Sequence, residues 1–193
     1  MRAKTGILGG SFDPPHVGHV TMARTAKEVL GLDSVLLMPA PKPPHKDLRG
    51  LSAWETRLEM TRLAADDVLG VEASSHELDT AGSSFTVESL RRYRAANDND
   101  VYFILGSDSL LDLPNWREPE TILKLATIVV FLRAGFDPVL NVRGDASLIV
   151  FESPVVDVSS SGIRENVRAG KSIETLVPGR VLEYITKHSL YSH

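Results

Sequence analysis

A chain of 193 residues with 42% hydrophobic and 24% charged residues reads as one ordinary globular unit, since domains of this composition commonly run ~100–200 residues. Its 21 Lys+Arg stand against 25 Asp+Glu, a formal net charge of -4, so no general basic excess exists to grip a nucleic-acid backbone and any anion site has to be local. Cysteine is absent, which excludes disulfides, thiolate metal sites and a cysteine nucleophile.

No signal-peptide apolar region follows Met1-Arg2-Ala3-Lys4. The longest apolar run, Ile122 to Leu132, is broken by Lys124 and falls short of a bilayer span. The expectation is a cytoplasmic chain with no membrane partner and no nucleic-acid partner; a homo-oligomer is left open.

Thr5 to Leu8 is a short apolar run stopped by Gly9-Gly10, as a buried strand would be. From Val17 the period changes: Val20, Ala23, Val29 and Leu30 recur at helical spacing and Gly31 supplies a stop. Ser34 to Met38 closes a strand–helix–strand unit suited to a right-handed parallel crossover. The next stretch, PAPKPPHK at 39–46, is too rich in proline for helix or inner strand and reads as a basic loop. Ser52 with Glu55 has the form of a capping box opening a helix to about Ala65.

Val68 to Val71 is taken as a third strand, Thr86 to Ala95 as a helix, and Val101 to Leu105, ended by Gly106, as the clearest strand. Pro119 suits the first position of a helix. Thr127 to Leu132 and Leu148 to Phe151 are further strands, and Ser160 to Arg168 and Gly179 to Lys187 are two short helices. Strands alternating with helices predict a Rossmann-like open α/β sheet, mostly parallel, with helices on both faces. The whole chain, 1–193, reads as a single domain, with 159–193 its helical C-terminal part.

In such a sheet ligands lie at the carboxyl ends of the strands, and a glycine turn feeding a helix offers backbone N–H groups to an anion. Gly9-Gly10-Ser11 stands at that edge. His16 and His19, three apart where the next helix begins, share one face near its positive end. Phosphate is the guest such a site favours, because phosphoryl-type transfer depends on positioning and charge stabilisation. A polar surface turn, or a metal site of Asp13, His16 and His19, are the competing readings of the same residues. At the other end of the chain Ser159-Ser160-Ser161-Gly162-Ile163-Arg164 sets hydroxyls and N–H groups before a helix, with Arg164 on its first turn. A serine N-cap with a surface arginine is the plainer alternative there.

The string GSFDPPHVGH resembles the signature of the nucleotidylyltransferase superfamily, and the serine-rich Arg164 segment resembles its second motif, with Ser161 and Gly162 where Thr and a larger residue are common. The resemblance implies transfer of a nucleotidyl group from a nucleoside triphosphate to a phosphate-bearing acceptor. PPHK at 43–46, Glu77-Leu78-Asp79, Gly82 to Val87, Gly106-Ser107-Asp108, LPNW at 113–116 and HSLY at 188–191 occur in an order similar to bacterial nicotinate-nucleotide adenylyltransferases.

Carried onto this chain, the resemblance implies that Gly9, Gly10, Ser11, Phe12, His16, His19, Gly106, Asp108, Ser159, Ser160, Ser161 and Arg164 form the ATP site. Ser84, Phe85, Thr86, Trp116 and Arg133 would line the nicotinate mononucleotide site, and Lys46 would reach the phosphates. His16, His19, Arg164 and Lys46 would be the catalytic residues, with Mg²⁺ held through the ATP phosphates and no metal ligated by the protein. Phe85 stands where that family usually has Tyr, and Arg133-Ala134-Gly135 where Arg-Pro-Gly is common.

A phosphate acceptor is nucleophilic at neutral pH, in keeping with the lack of a carboxylate dyad or nucleophile–base pair. Nicotinamide mononucleotide and 4′-phosphopantetheine remain alternative acceptors. A nucleotide-binding module without turnover, and a metal-dependent hydrolase, remain alternatives of other classes.

Overall fold

The computed structural model describes residues 2–42, 50–75, 85–132, 148–152 and 158–192. Six strands form one sheet: β1 (Lys4–Gly10), β2 (Ser34–Pro39), β3 (Val71–Ala73), β4 (Asp100–Gly106), β5 (Thr127–Leu132) and β6 (Leu148–Glu152). Their order is β3-β2-β1-β4-β5-β6, and each neighbouring pair is parallel. The order reverses between β1 and β4, so the crevice between their carboxyl ends is the natural ligand position. The register sets Leu8 beside Ile104, and Gly10 and Gly106 end their strands on the same edge.

Seven α-helices join the strands among the described residues: α1 (Val17–Leu30), α2 (Trp54–Ala65), α3 (Thr86–Ala96), α4 (Ser107–Asp112), α5 (Pro119–Leu125), α6 (Ser160–Arg168) and α7 (Gly179–Lys187). Alternate strand residues feed opposite layers, as the two-residue strand period requires. Ile7, Phe103, Leu105, Ile128 and Val130 pack with α3 and α5. Leu8, Ile104, Val129 and Phe131 pack with Ala23 and Ala26 of α1 and Ala65 of α2. A third cluster joins Met60 and Ala64 of α2 to Ile163 of α6 and Val181 and Ile185 of α7. The C-terminal helices are thereby anchored on α2, the element that follows the proline-rich loop.

Most predicted elements form, and α1, α6 and α7 have the bounds read from sequence. Gly31 ends α1 in the left-handed conformation, its N–H returning to the Lys27 carbonyl, a geometry that favours glycine. Three readings need correction. The third strand is Val71–Ala73, because Val68 to Gly70 turns instead, with the Val71 N–H bonded to the Val68 carbonyl. Ser52 does not cap α2; Ala53 occupies that position, and the Ser52 main chain is recruited by Asp13 and Arg57. Helix α4 and the 3₁₀ turn Leu113–Asn115 were not anticipated.

Candidate active site

The loop after β1 is held in place from the C-terminal end of the chain. Arg164 Nη1 donates to the Asp13 carbonyl at 2.6 Å, and Ser160 Oγ donates to the Pro14 carbonyl at 2.9 Å. Ser159 is the N-cap of α6 and accepts from the Gly162 N–H at 3.1 Å, while Ser161 Oγ accepts from Arg164 Nη2 at 3.3 Å. Arg164 is the fifth residue of α6, hence on its second turn and not its first. The amino ends of α1 and α6 thus meet at one loop, and their N–H groups and dipoles favour an anion there.

His16 caps α1 from the position before its first residue, and His19 is the third residue of the helix. The two close a capping box, with His16 N–H donating to His19 Nδ1 at 3.2 Å. Histidine here fills a role usually taken by Ser and Glu. The rings stack at 3.6 Å between centroids, and His19 also leans on Phe12 at 4.8 Å. Because Nδ1 of His19 accepts, its neutral ring carries the proton on Nε2. That leaves an N–H donor on the far side of the imidazole.

Phe12 has φ of 48° and a fully buried ring. The ring is therefore part of the core and not a stacking surface for a nucleotide. Asp13 is also fully buried, and its carboxylate is committed to the scaffold: Oδ1 accepts from Tyr191 Oη at 2.6 Å and Oδ2 from the Ser52 N–H at 3.2 Å. Both oxygens are thus engaged within a residue that has no exposed surface, which disfavours a metal held by Asp13 with the two histidines. Burial first, and the Asp13 charge second, push the Tyr191 hydroxyl far above the ordinary tyrosine range, so it remains a donor.

Across the crevice, Gly106 caps α4 through its backbone, and Asp108 lies exposed in the first turn without acting as the cap. Thr86 is the first residue of α3, and Phe85 before it is half-buried against the sheet, with the Arg117 guanidinium 5.0 Å from its ring centre. Trp116 follows the 3₁₀ turn, donates from Nε1 to Asp112 Oδ2 at 3.1 Å and meets Phe103 edge-on at 6.3 Å. Arg91 of α3 bonds Glu118 at 2.5 Å, and this hydrogen bond in the first place holds the Glu118 carboxyl below its usual range. The pair ties α3 to the Trp116 turn.

The structure therefore joins the glycine–histidine loop to the Ser159–Arg164 segment directly. It sets the β4 residues across the switch point, and links Phe85 and Thr86 to Trp116 through Arg117 and Glu118. Lys46, Ser84 and Arg133 lie outside the described residues. Sequence reasoning missed Arg57, and assigned Tyr191 no role.

Residues 7–166 match the cytidylyltransferase-like family. A protein of Roseiflexus sp., named probable nicotinate-nucleotide adenylyltransferase, is 41% identical over 98% of both chains. A Dehalococcoides mccartyi protein of the same name is 38% identical over 97% of both. In three dimensions the chain is similar to the Plasmodium falciparum nicotinic acid mononucleotide adenylyltransferase complexed with NaAD, at a TM-score of 0.81 and 18% identity over 98% of this chain and 97% of that one. Full-length identity at this level, on a sheet with its crevice where the two motifs meet, means that the chain belongs to the nicotinate-nucleotide adenylyltransferase family.

Proposed function

We propose that this protein transfers the adenylyl group of ATP to nicotinate mononucleotide, forming nicotinate adenine dinucleotide and pyrophosphate. The observation that carries the reading is the closure of the Ser160–Arg164 segment onto the Asp13–Pro14 carbonyls, which sets two helix amino ends and two imidazoles around one loop. An acceptor phosphate oxygen attacks the α-phosphorus, the bond from that phosphorus to the α,β-bridging oxygen breaks, and its electrons leave with pyrophosphate. No protein base is needed, because the attacking phosphate is already an anion. The protein's task is alignment and charge stabilisation.

His19 supplies an Nε2–H donor to the phosphates, and His16 holds that ring in orientation. Main-chain N–H groups of the 9–12 segment and of the α6 start receive the remaining oxygens. Lys46 adds a cation from the proline-rich loop. Gly106 and Asp108 take the adenosine, while Phe85, Thr86 and Trp116, with Ser84 and Arg133, receive the pyridine nucleotide. Hydroxyls, amides and imidazoles suit anions more than a hard cation, so Mg²⁺ arrives on the ATP phosphates and neutralises charge there. Residues 1–193 act as one nucleotidyltransferase unit, soluble in the cytoplasm.

The test is pyrophosphate release from ATP and Mg²⁺ with three acceptors in parallel: nicotinate mononucleotide, nicotinamide mononucleotide and 4′-phosphopantetheine. Fastest release with the nicotinate compound is expected. Absence of release with any of them would overturn the reading, and a faster rate with another would reassign the acceptor.

A further inference from the structure

Arg57 lies inside α2 with 1% of its surface exposed. A guanidinium taken out of water needs strong hydrogen bonds in return. Four of its bonds go to main-chain carbonyls on three separate segments. Nη1 donates to Ser11 and to Ala40, both at 2.8 Å; Nη2 donates to Pro41 and Nε to Ser52, both at 3.0 Å. Ser11 lies just past the end of β1, Ala40 and Pro41 just past β2, and Ser52 just before α2. One planar, fork-shaped cation thus ties together the loops at the site edge of two adjacent strands.

The consequence follows from peptide geometry. A trans peptide points its C=O and N–H in opposite directions, and Asp13-Pro14 is the cis bond found among the described residues. Drawing the Ser11 carbonyl inward onto a buried guanidinium therefore turns the Phe12 N–H away from that guanidinium. Drawing in the Pro41 carbonyl does the same for Lys42. The positive φ of Phe12 fits this picture, since a non-glycine residue stays in that region only where its surroundings over-determine it. Its ring is locked in the core on one side and its preceding carbonyl is held by Arg57 on the other.

We propose that Arg57 is a positioning residue for adenylyl transfer, fixing the peptide planes that precede Phe12 and Lys42 at the edge of the ATP site without touching the substrate. The inference rests on the adenylyltransferase reading above. Lysine at this position keeps the charge but gathers its donors on one nitrogen, which cannot span three segments.

The experiment compares the parent with Arg57→Lys and with Leu58→Ala, a core truncation on the same helix. It records pyrophosphate release at 25 °C, melting temperature, and the amide NMR signals of Phe12 and Lys42 during titration with ATP and Mg²⁺. In the parent both amides should shift on ATP binding. In Arg57→Lys the two signals should be displaced before ATP is added, and kcat should fall by about 10- to 100-fold. Leu58→Ala should lose melting temperature but stay within about twofold of the parent rate below its melt. A parent that turns over with amides indifferent to saturating ATP overturns the proposal, even if Arg57→Lys does not fold. So does an Arg57→Lys rate within about twofold of the parent. A parent that releases no pyrophosphate overturns the reading of the reaction instead.

Discussion

The Tyr191 hydroxyl donates to Asp13 Oδ1 at 2.6 Å, joining residues 178 positions apart. Asp13 is simultaneously the residue whose carbonyl receives Arg164. The end of the chain and the start of α6 therefore close on one buried residue of the glycine–histidine loop. Tyr191 has φ of 65°, a strained backbone compensated by this bond and by burial.

Tyr191→Phe deletes the donor and leaves a buried carboxylate oxygen short of a partner, which should destabilise the fold by about 1–3 kcal/mol. Urea denaturation measures this. The pH dependence has a definite sign. The folded-state hydroxyl titrates higher than the unfolded one, so its contribution is complete below the ordinary tyrosine range and is lost as pH rises beyond it. The parent should lose stability above about pH 10 more steeply than Tyr191→Phe. Equal slopes would mean that the bond does not hold in solution.

Which parts of this were legible in the sequence follows from how local their causes are. Helix α1 announced itself through its apolar spacing and Gly31, and α6 through serines preceding a helix. The six-residue α4 is too short to show a period, and its cap, Gly106, looked only like the end of a strand. Ser52 and Glu55 had the spacing of a capping box, but tertiary partners claimed Ser52. Arg57 was invisible for a related reason: an arginine in a helix reads as a solvent-facing residue until the fold wraps three loops around it. Asp13 appeared as a possible metal ligand because its partners, Tyr191 and Ser52, are remote in sequence.

His19 carries two duties that one variant can separate. As the third residue of α1 it closes the capping box, and in the proposed reaction it is the Nε2–H donor to the phosphates. His19→Ala should cost about 0.5–2 kcal/mol of stability. It should also lower kcat by roughly 100-fold or more, with ATP affinity changed far less. Calorimetric ATP titration beside pyrophosphate kinetics decides. Equal losses in affinity and turnover would make His19 an anchor and not a transition-state donor.

Arg164 holds the Asp13 carbonyl with one nitrogen and the Ser161 hydroxyl with the other. Arg164→Lys preserves the charge and loses the fork. The expected outcome is a KM for ATP raised by about tenfold or more, with the melting temperature lowered by only a few degrees. Saturating ATP should restore part of the rate. A variant with unchanged KM would place Arg164 in scaffolding alone.

Gly18 gives the sharpest separation of stability from catalysis. It is the second residue of α1, where alanine would ordinarily gain up to about 1 kcal/mol over glycine in helix propensity. A Cβ there would lie 3.0 Å from His16 Nδ1 and 3.1 Å from Val158 Cγ1. His16 is 8% exposed and stacked on His19, so its ring yields only by disturbing the capping box and the partner imidazole. Gly18→Ala should accordingly melt within a few degrees of the parent, because propensity and crowding oppose each other. Its kcat should fall by roughly tenfold or more, because a shift of a few tenths of an ångström at His16 is passed through the stacked rings to His19, the proposed phosphate donor. Calorimetry and pyrophosphate kinetics on the same preparation test both halves. Full activity in a stably folded Gly18→Ala would show that the spacing of the two rings does not govern turnover.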